Sequence, residues 1–161
     1  RGNAAGVPMK HFPEALEVGK SKRLQSGDDV DIWAYGTMLA DAEKVAARLS
    51  EHGISAGVVN ARFAKPLDAD ALKAAARSHS LIVTMEDHAA TGGFGTAVGE
   101  ALQETGTACP LLRVGWPDEF IEHGSSVNSL REAYGLDNEA ITGRVLQRLQ
   151  EIEQDSVKLS Q

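Results

Sequence analysis

The sequence has little of what nucleic-acid binding, membrane insertion or disulfide formation would require. Its 161 residues include one cysteine, Cys109, so no disulfide can form within the chain. The 16 lysines and arginines are outnumbered by 23 aspartates and glutamates and form no basic block, whereas a protein that binds a phosphate backbone needs a positive surface. No apolar run approaches the roughly 20 residues that span a bilayer. These absences argue against nucleic-acid and membrane partners and favour a cytoplasmic protein.

The first residues differ in composition from the rest of the chain. Residues 1–15 show no sustained hydrophobic period and contain two glycines and two prolines, which is typical of an extended connector. The chain also begins with an arginine instead of a methionine. We therefore expect a piece of a longer chain. In it, residues 1–28 are a connector from a preceding domain plus an edge strand, 29–152 form the domain, and 153–161 are a polar tail that frays.

Beyond the connector, short apolar runs alternate with segments of helical spacing. The pattern predicts strands at 16–24, 30–35, 54–63, from 81 and at 110–114, and helices at 39–52, 69–78, from 96 to about 106, 126–134 and 138 to about 152. Asp68 is a good N-cap and Gly53 lies where a C-terminal cap is expected. Strands alternating with helices imply a mostly parallel sheet covered on both faces. The expected fold is a three-layer α/β/α domain with about five strands, one of them an antiparallel edge strand. Cys109, at the head of a strand, is expected to be a buried structural thiol.

The rest of the chain is organised around residues 81–98. An apolar run opens this stretch, and Glu86, Asp87 and His88 come after it where a buried strand would leave the core. Three glycines come next, within Gly92–Gly95, and a segment of helical spacing begins at Thr96. The pattern is typical of a strand, a glycine-rich turn and a helix, with polar groups at the edge of the sheet where α/β folds usually meet their ligands and partners.

Neither the glycines nor the polar triplet predicts a catalytic or metal site. The turn lacks the third glycine of a dinucleotide fingerprint and no P-loop lysine comes after it, so a packing turn is favoured over a phosphate cradle. Glu86, Asp87 and His88 resemble an acid/base cluster, but adjacent side chains on a strand diverge and cannot all face one substrate. The five histidines show no metal-ligand spacing. A surface or interface role is favoured for the triplet, with no catalytic, cofactor-binding or metal-binding residue in this chain.

Several longer motifs carry a family resemblance across nearly the whole chain. They are Arg1-Gly-Asn-Ala-Ala-Gly-Val, Ala34-Tyr-Gly-Thr-Met, Val59-Asn-Ala-Arg-Phe-Ala-Lys-Pro-Leu-Asp68, Val83-Thr-Met-Glu-Asp-His-Ala-Ala-Thr-Gly-Gly-Phe-Gly95, Trp116-Pro-Asp-Glu-Phe-Ile-Glu-His-Gly124 and Gly135-Leu-Asp137. Together they resemble the C-terminal region of the 1-deoxy-D-xylulose 5-phosphate synthase family. The segments beginning at Val59 and Trp116 distinguish that family from transketolase and the 2-oxo acid dehydrogenase β subunits, which share its fold and its glycine turn.

The resemblance implies the third domain of a thiamine diphosphate- and Mg²⁺-dependent homodimer. That family joins pyruvate to glyceraldehyde 3-phosphate, with loss of carbon dioxide, at the start of an isoprenoid pathway. It implies that both cofactors belong to the preceding domains of the parent enzyme, so the isolated chain is expected to be inactive. It also implies that Arg1 helps hold the phosphate of the aldehyde substrate, a task that the paired donors of a guanidinium suit. The C-terminal domain of another transketolase-like enzyme, a free-standing anion-binding domain and an independent interaction module remain alternatives.

The polar triplet and the glycine turn are expected to form an interface with the preceding domain or the partner subunit. Phe94 is a large apolar side chain at a turn that otherwise favours small polar residues, and an aromatic there is often a contact anchor. The alternative is that Phe94 folds back over its own helix.

Overall fold

A five-stranded sheet lies between two layers of helices in the part of the chain that the computed structural model describes, residues 15–122 and 126–159. The strands are β1 (Lys22–Gln25), β2 (Val30–Ala34), β3 (Ala56–Asn60), β4 (Leu81–Ala89) and β5 (Leu111–Trp116). The helices are α1 (Leu39–Glu51), α2 (Ala69–Ser78), α3 (Phe94–Glu104), α4 (Val127–Ala133) and α5 (Asn138–Leu159). The strand order is β1-β3-β2-β4-β5, with β1 antiparallel to β3 and the other pairs parallel.

Both faces of the sheet are buried because alternate strand residues enter two separate apolar clusters. On one face, Ile32 and Val83 pack with residues of α1 and α5. On the other face, Trp33 and Ile82 pack with residues of α2 and α3. The sequence prediction of a three-layer α/β/α domain with one antiparallel edge strand is confirmed.

The predicted helix ends are explained by local chemistry. The side chain of Asp68 accepts a hydrogen bond from the backbone N–H of Ala71 at 3.4 Å, as an N-cap does. The same carboxylate accepts bonds from the backbone and the hydroxyl of Ser21, both at 2.9 Å. These bonds tie the start of the described chain to α2. Gly53 lies just beyond α1 with a φ of +78°, the left-handed conformation expected of a residue past a helix end.

Several elements differ in extent from the prediction. β3 has five residues, Ala56–Asn60, where a strand over 54–63 was predicted, and α3 begins at Phe94, two residues earlier than predicted. β1 is confined to four residues, because only Lys22–Gln25 pair with β3. β4 runs on to Ala89 with an irregular register beyond Met85, so the polar triplet lies within the strand. α5 continues past Ile152 to Leu159, with a Lys158–Asp155 ion pair on its last turn. Polar residues with good helix propensity extend this helix without burial, so the predicted helix end near Ile152 is too early.

An ion pair between Arg23 and a buried carboxylate fixes the edge strand at the amino end of the sheet. The carboxylate of Asp31 is fully buried and accepts two hydrogen bonds from Arg23, at 2.7 and 2.9 Å. Trp33 donates its indole N–H to the same carboxylate at 2.9 Å. The bonds to Asp31 raise the pKa of Arg23, against the opposing effect of its partial burial. Gly57 permits this packing, because a Cβ there would lie 2.4 Å from a carboxylate oxygen of Asp31.

Candidate functional site

The candidate site lies at the carboxyl edge of the sheet. Because β2, β3, β4 and β5 are parallel, their carboxyl ends meet at that edge, where ligands and partners usually contact α/β folds. Side chains alternate along β4, so Glu86 and His88 face the layer of α2 and α3 while Asp87 faces the opposite layer. The three adjacent polar residues therefore diverge, as their positions in the sequence predict.

The carboxylate of Glu86 lies at the N-terminus of α3, where an anionic ligand would otherwise bind. Its side chain is fully buried and accepts hydrogen bonds from the backbone N–H groups of Phe94, at 2.5 Å, and Gly95, at 2.7 Å. The first N–H groups of a helix have no partner within the helix and carry a partial positive charge, so a carboxylate there is stabilising. These donors would otherwise be free to bind a phosphate at the glycine turn. With both amides bonded to Glu86, neither is free to donate to a phosphate at the turn.

The glycines around Glu86 are required by close packing. A Cβ on Gly93 would lie 2.2 Å from a Glu86 carboxylate oxygen, and one on Gly95 would lie 2.6 Å from the hydroxyl of Thr84. Gly115 on β5 approaches from the other side, and a Cβ there would lie 2.8 Å from the backbone oxygen of His88. The glycines therefore let helix α3 and strand β5 close over a buried carboxylate, which agrees with the prediction of a packing turn.

Asp87 joins three elements on the opposite face of the sheet. It accepts hydrogen bonds from the indole of Trp116 at 2.8 Å, from the hydroxyl of Thr37 at 3.0 Å and from the guanidinium of Arg131 at 3.0 Å. Arg131 also donates to Asp41 of α1 at 3.0 Å. Burial opposes ionisation of Asp87, but the Trp116 bond and the charge of Arg131 outweigh it and hold the pKa of Asp87 below its usual value. This network fastens α4 to the sheet.

An open pocket of about 480 Å³ lies beside His88. Its walls include Tyr35 and Phe94, whose rings stack with centroids 5.2 Å apart. The ring of the exposed His88 lies 6.0 Å from the Tyr35 ring, and its Nδ1 lies 4.0 Å from a carboxylate oxygen of Glu86. Lys65 lines the pocket from the loop after β3. The pocket is therefore an aromatic depression with cationic and titratable groups along its edge.

The structure separates the predicted interface residues into different roles. Asp87 and His88 reach the surface, whereas Glu86 is buried and can act on a partner only by positioning the turn. Phe94 is 4% exposed and belongs to the apolar cluster under α2 and α3. It does not project from the turn as a contact anchor would, because its ring packs inward against Tyr35. Arg1 lies outside the described residues, as does most of the expected connector.

Sequence reasoning missed Arg131, Thr37 and Trp116 as partners of Asp87. Thr37 and Trp116 both lie in family motifs, but nothing in their spacing indicated a bond to a carboxylate on another strand. Cys109, predicted to be a buried structural thiol, is half-buried, and burial raises the pKa of its thiol. A raised thiol pKa disfavours the nucleophilic thiolate at neutral pH.

The described residues contain neither a metal-binding cluster nor a membrane-spanning helix. No group of three or more histidine, cysteine, aspartate or glutamate side chains among them is arranged to hold a metal ion. Of the helices described, none combines the length and the apolar character that a membrane span requires.

Curated relatives of this chain include several 1-deoxy-D-xylulose-5-phosphate synthases. The chain is 44% identical over 140 residues to the enzyme of Acidobacterium capsulatum, and 46% identical over 148 residues to that of Trichormus variabilis. These alignments cover 87% and 91% of this chain but only 22% and 23% of the relatives. The chain therefore spans less than a quarter of the length of these relatives, and the resemblance seen in its motifs is confirmed over that part.

Solved structures show the same fold. A split-gene transketolase, solved as an inactive β4 tetramer, superposes with a TM-score of 0.77 at 37% identity, over 88% of this chain and 45% of that one. A transketolase mutant from Pichia stipitis superposes with a TM-score of 0.56 at 18% identity, over 80% of this chain and 18% of that one, which shows the fold alone. Residues 19–141 match the family model described as transketolase, C-terminal domain, and this chain belongs to that family.

Proposed function

We propose that this chain is the C-terminal domain of a 1-deoxy-D-xylulose-5-phosphate synthase. In that enzyme family, thiamine diphosphate-dependent chemistry joins pyruvate to glyceraldehyde 3-phosphate and releases carbon dioxide, at the start of an isoprenoid pathway. The observation that carries the proposal is the agreement of 42% to 46% identity with enzymes of that name, over 84% to 98% of the chain. A domain exchange tests the proposal. A 1-deoxy-D-xylulose-5-phosphate synthase whose own C-terminal domain is replaced by this chain should form product.

Within that enzyme the domain supports the structure and does not take part in the chemistry. The family resemblance assigns thiamine diphosphate and Mg²⁺ to the preceding domains, and in this chain two amide donors of the glycine turn are bonded to Glu86. The purified chain, given both substrates, thiamine diphosphate and Mg²⁺, should form no product, whereas the full-length enzyme should. Product formation by the chain alone would contradict this role.

Arg1 contributes to substrate binding in the intact enzyme by donating to the phosphate of glyceraldehyde 3-phosphate. A hydrogen bond to a charged group contributes roughly 1.5–3 kcal/mol, so Arg1→Ala in the full-length enzyme should raise KM for the aldehyde about tenfold or more. The affinity for thiamine diphosphate should not change. Arg23→Ala, which breaks the ion pair with Asp31 at the amino end of the sheet, is the control for general destabilisation. An unchanged KM would remove Arg1 from the phosphate site.

The surface around Asp87, His88 and the Gly92–Gly95 turn packs against another part of the dimeric enzyme. Two observations support this interface: the open aromatic pocket at this edge of the sheet, and the polar groups that reach the surface beside it. Hydrogen exchange of residues 86–95 should be slower in the full-length dimer than in the isolated chain. Equal protection in both would show that the turn is covered only by its own domain. We place the enzyme in the cytoplasm, with its own preceding domains, a second subunit and small-molecule substrates as partners.

A further inference from the structure

One arginine of α5 has no carboxylate partner among the described residues. Arg144 donates a hydrogen bond to the backbone oxygen of Arg113 on β5, at 3.0 Å, and makes no ion pair in the described part of the chain. Its side chain is partly buried, and burial lowers the pKa of the guanidinium. Partly buried charges are usually paired, and a guanidinium has several N–H donors. The unused donors of Arg144 are therefore available to an anion.

A cavity of about 180 Å³ lies beside this guanidinium, and we call it the Arg144 cavity. Leu112 of β5 lines it, together with four residues of α5: Arg144, Gln147, Arg148 and Glu151. β5 is an edge strand, so the cavity lies at the side of the sheet, and it shares no lining residue with the aromatic pocket at the carboxyl edge. One water molecule occupies about 30 Å³ of liquid, so the cavity has room for an anion of several heavy atoms.

The charges around the Arg144 cavity do not balance. Arg148 donates to one carboxylate oxygen of Glu151 at 3.0 Å, and the amide of Gln147 donates to the other oxygen at 3.0 Å. Glu151 therefore neutralises Arg148 and leaves the charge of Arg144 uncompensated. Arg144 and Arg148 lie one turn apart on the same face of α5, where like charges repel each other. An anion between the two guanidinium groups would remove that repulsion.

We propose that the Arg144 cavity binds a phosphoryl group, either as inorganic phosphate or as the end of a small phosphate monoester. Arg144 donates to it from beside β5, and Arg148 donates from the next turn of α5. A tetrahedral phosphate presents oxygens to donors in different directions, whereas a planar carboxylate is matched by a single guanidinium. Leu112 keeps water from one side of the cavity, which strengthens the attraction between the charges.

NMR of the arginine side chains tests the site directly. The Nε–H signal of Arg144, assigned by its absence from the spectrum of Arg144→Lys, should shift and saturate as inorganic phosphate is added at constant ionic strength. The signal of Arg77, at an exposed position on α2, should stay in place. If the Arg144 signal does not move at roughly 10 mM phosphate, which would reveal a millimolar dissociation constant, the proposal is overturned. Equal shifts of the Arg77 and Arg144 signals would also overturn it.

Substitutions measure what each arginine contributes to binding. Arg144→Gln should weaken phosphate binding about tenfold or more, because a charge-assisted hydrogen bond is lost. Arg77→Gln removes the same charge at an exposed position and should leave the affinity unchanged. Arg148→Gln keeps the bond from Arg144 to β5 and should also weaken binding, so the test stands even if Arg144→Gln does not fold. Wild-type affinity in both cavity variants would refute the site.

Three probes identify the chemical source of the anion. Glycerol 3-phosphate that binds more tightly than inorganic phosphate would indicate a phosphorylated metabolite, and equal affinities would indicate free phosphate. Acetate that binds as tightly as either would show that the cavity takes a carboxylate, which contradicts the proposal. These measurements use the chain alone, so their outcome does not depend on product formation by the parent enzyme, which tests the proposed function.

Discussion

A single buried carboxylate organises the turn that the sequence marks with glycines. Glu86 accepts two backbone hydrogen bonds at the start of α3, and Gly93 and Gly95 have no room for a side chain beside it. A buried charge is tolerated only when its hydrogen bonds are satisfied, and here the helix N-terminus satisfies them. Glu86 therefore positions the turn and, through it, one wall of the aromatic pocket.

Replacing Glu86 by glutamine should destabilise the domain. The amide nitrogen of glutamine would face one of the two backbone N–H donors, and a buried donor without a partner costs about 1–3 kcal/mol. Urea unfolding should show that loss for Glu86→Gln. Glu100→Gln, at an exposed position on the same helix, should change the free energy of unfolding by less than about 0.5 kcal/mol. Equal losses in the two variants would mean that Glu86 has no special role in the turn.

A matched pair of glycine substitutions tests the packing of the turn. Gly93→Ala places a Cβ 2.2 Å from a Glu86 oxygen and 2.4 Å from the backbone oxygen of Ala89, so the variant should be less stable than the wild type. Gly143 lies within α5, where a Cβ would meet no atom within 4 Å outside the backbone of its own helix. Gly143→Ala should therefore stabilise the domain by about 0.5–1 kcal/mol. Thermal unfolding should therefore show a lower midpoint than the wild type for Gly93→Ala and a higher midpoint for Gly143→Ala. Stabilisation by both substitutions would refute the close packing.

At the scale of elements, α4 is held by polar bonds and not by apolar burial. None of its seven residues is buried, and Arg131 connects it to Asp87 on β4 and to Asp41 on α1. The guanidinium Nε of Arg131 is itself buried without a hydrogen-bond partner among the described residues. A short helix with this attachment should open more easily than the rest of the domain.

The attachment of α4 should weaken in acid because the pKa of Asp87 lies below its usual value in the fold. The native state prefers the ionised carboxylate, so this stabilisation is complete above the unfolded pKa of about 3.9 and is lost as the pH falls through the lower native value. Urea unfolding at a series of pH values should show that the free energy of unfolding falls less below about pH 4 in Asp87→Asn than in the wild type. Asp70→Asn, at an exposed position on α2, is the control. If the free energy of unfolding depends on pH identically in Asp87→Asn and the wild type, the ionisation of Asp87 does not stabilise the fold.

At the scale of the whole molecule, one sheet is shared by two apolar clusters. Ile32 and Trp33 are neighbours in β2, yet they enter opposite clusters. Loss of packing on either face therefore exposes the same strands, and the helices of both layers depend on one sheet.

We expect the domain to unfold as one cooperative unit. Val45→Ala on one face and Leu72→Ala on the other should each lower stability, by about 1–4 kcal/mol, without separating the transition into two. Helix loss measured by circular dichroism and the combined fluorescence of Trp33 and Trp116 should have the same midpoint in each variant. Val157→Ala, at an exposed site, should leave the midpoint unchanged. Separate midpoints for the two probes would show that the layers unfold independently.

The sequence by itself determined the alternation of strands and helices, the antiparallel edge strand, the Asp68 and Gly53 helix ends and the family. These depend on residues close together in the chain, on hydrophobic period, on turn chemistry and on motifs, so the local pattern is sufficient. It also predicted correctly that Glu86, Asp87 and His88 diverge, because successive side chains on a strand point to opposite faces.

Only the tertiary structure decided what those side chains contact. Glu86 is buried because the N-terminus of α3 folds back over β4, and Phe94 packs inward because Tyr35, nearly sixty residues earlier in the chain, lies beneath it. Asp87 meets Arg131 across 44 positions of the sequence, a pairing that depends on where α4 docks. Hydrogen bonds and ring contacts of this kind act over a few ångströms in space, and no short-range pattern in the sequence records which distant residues will be brought that close.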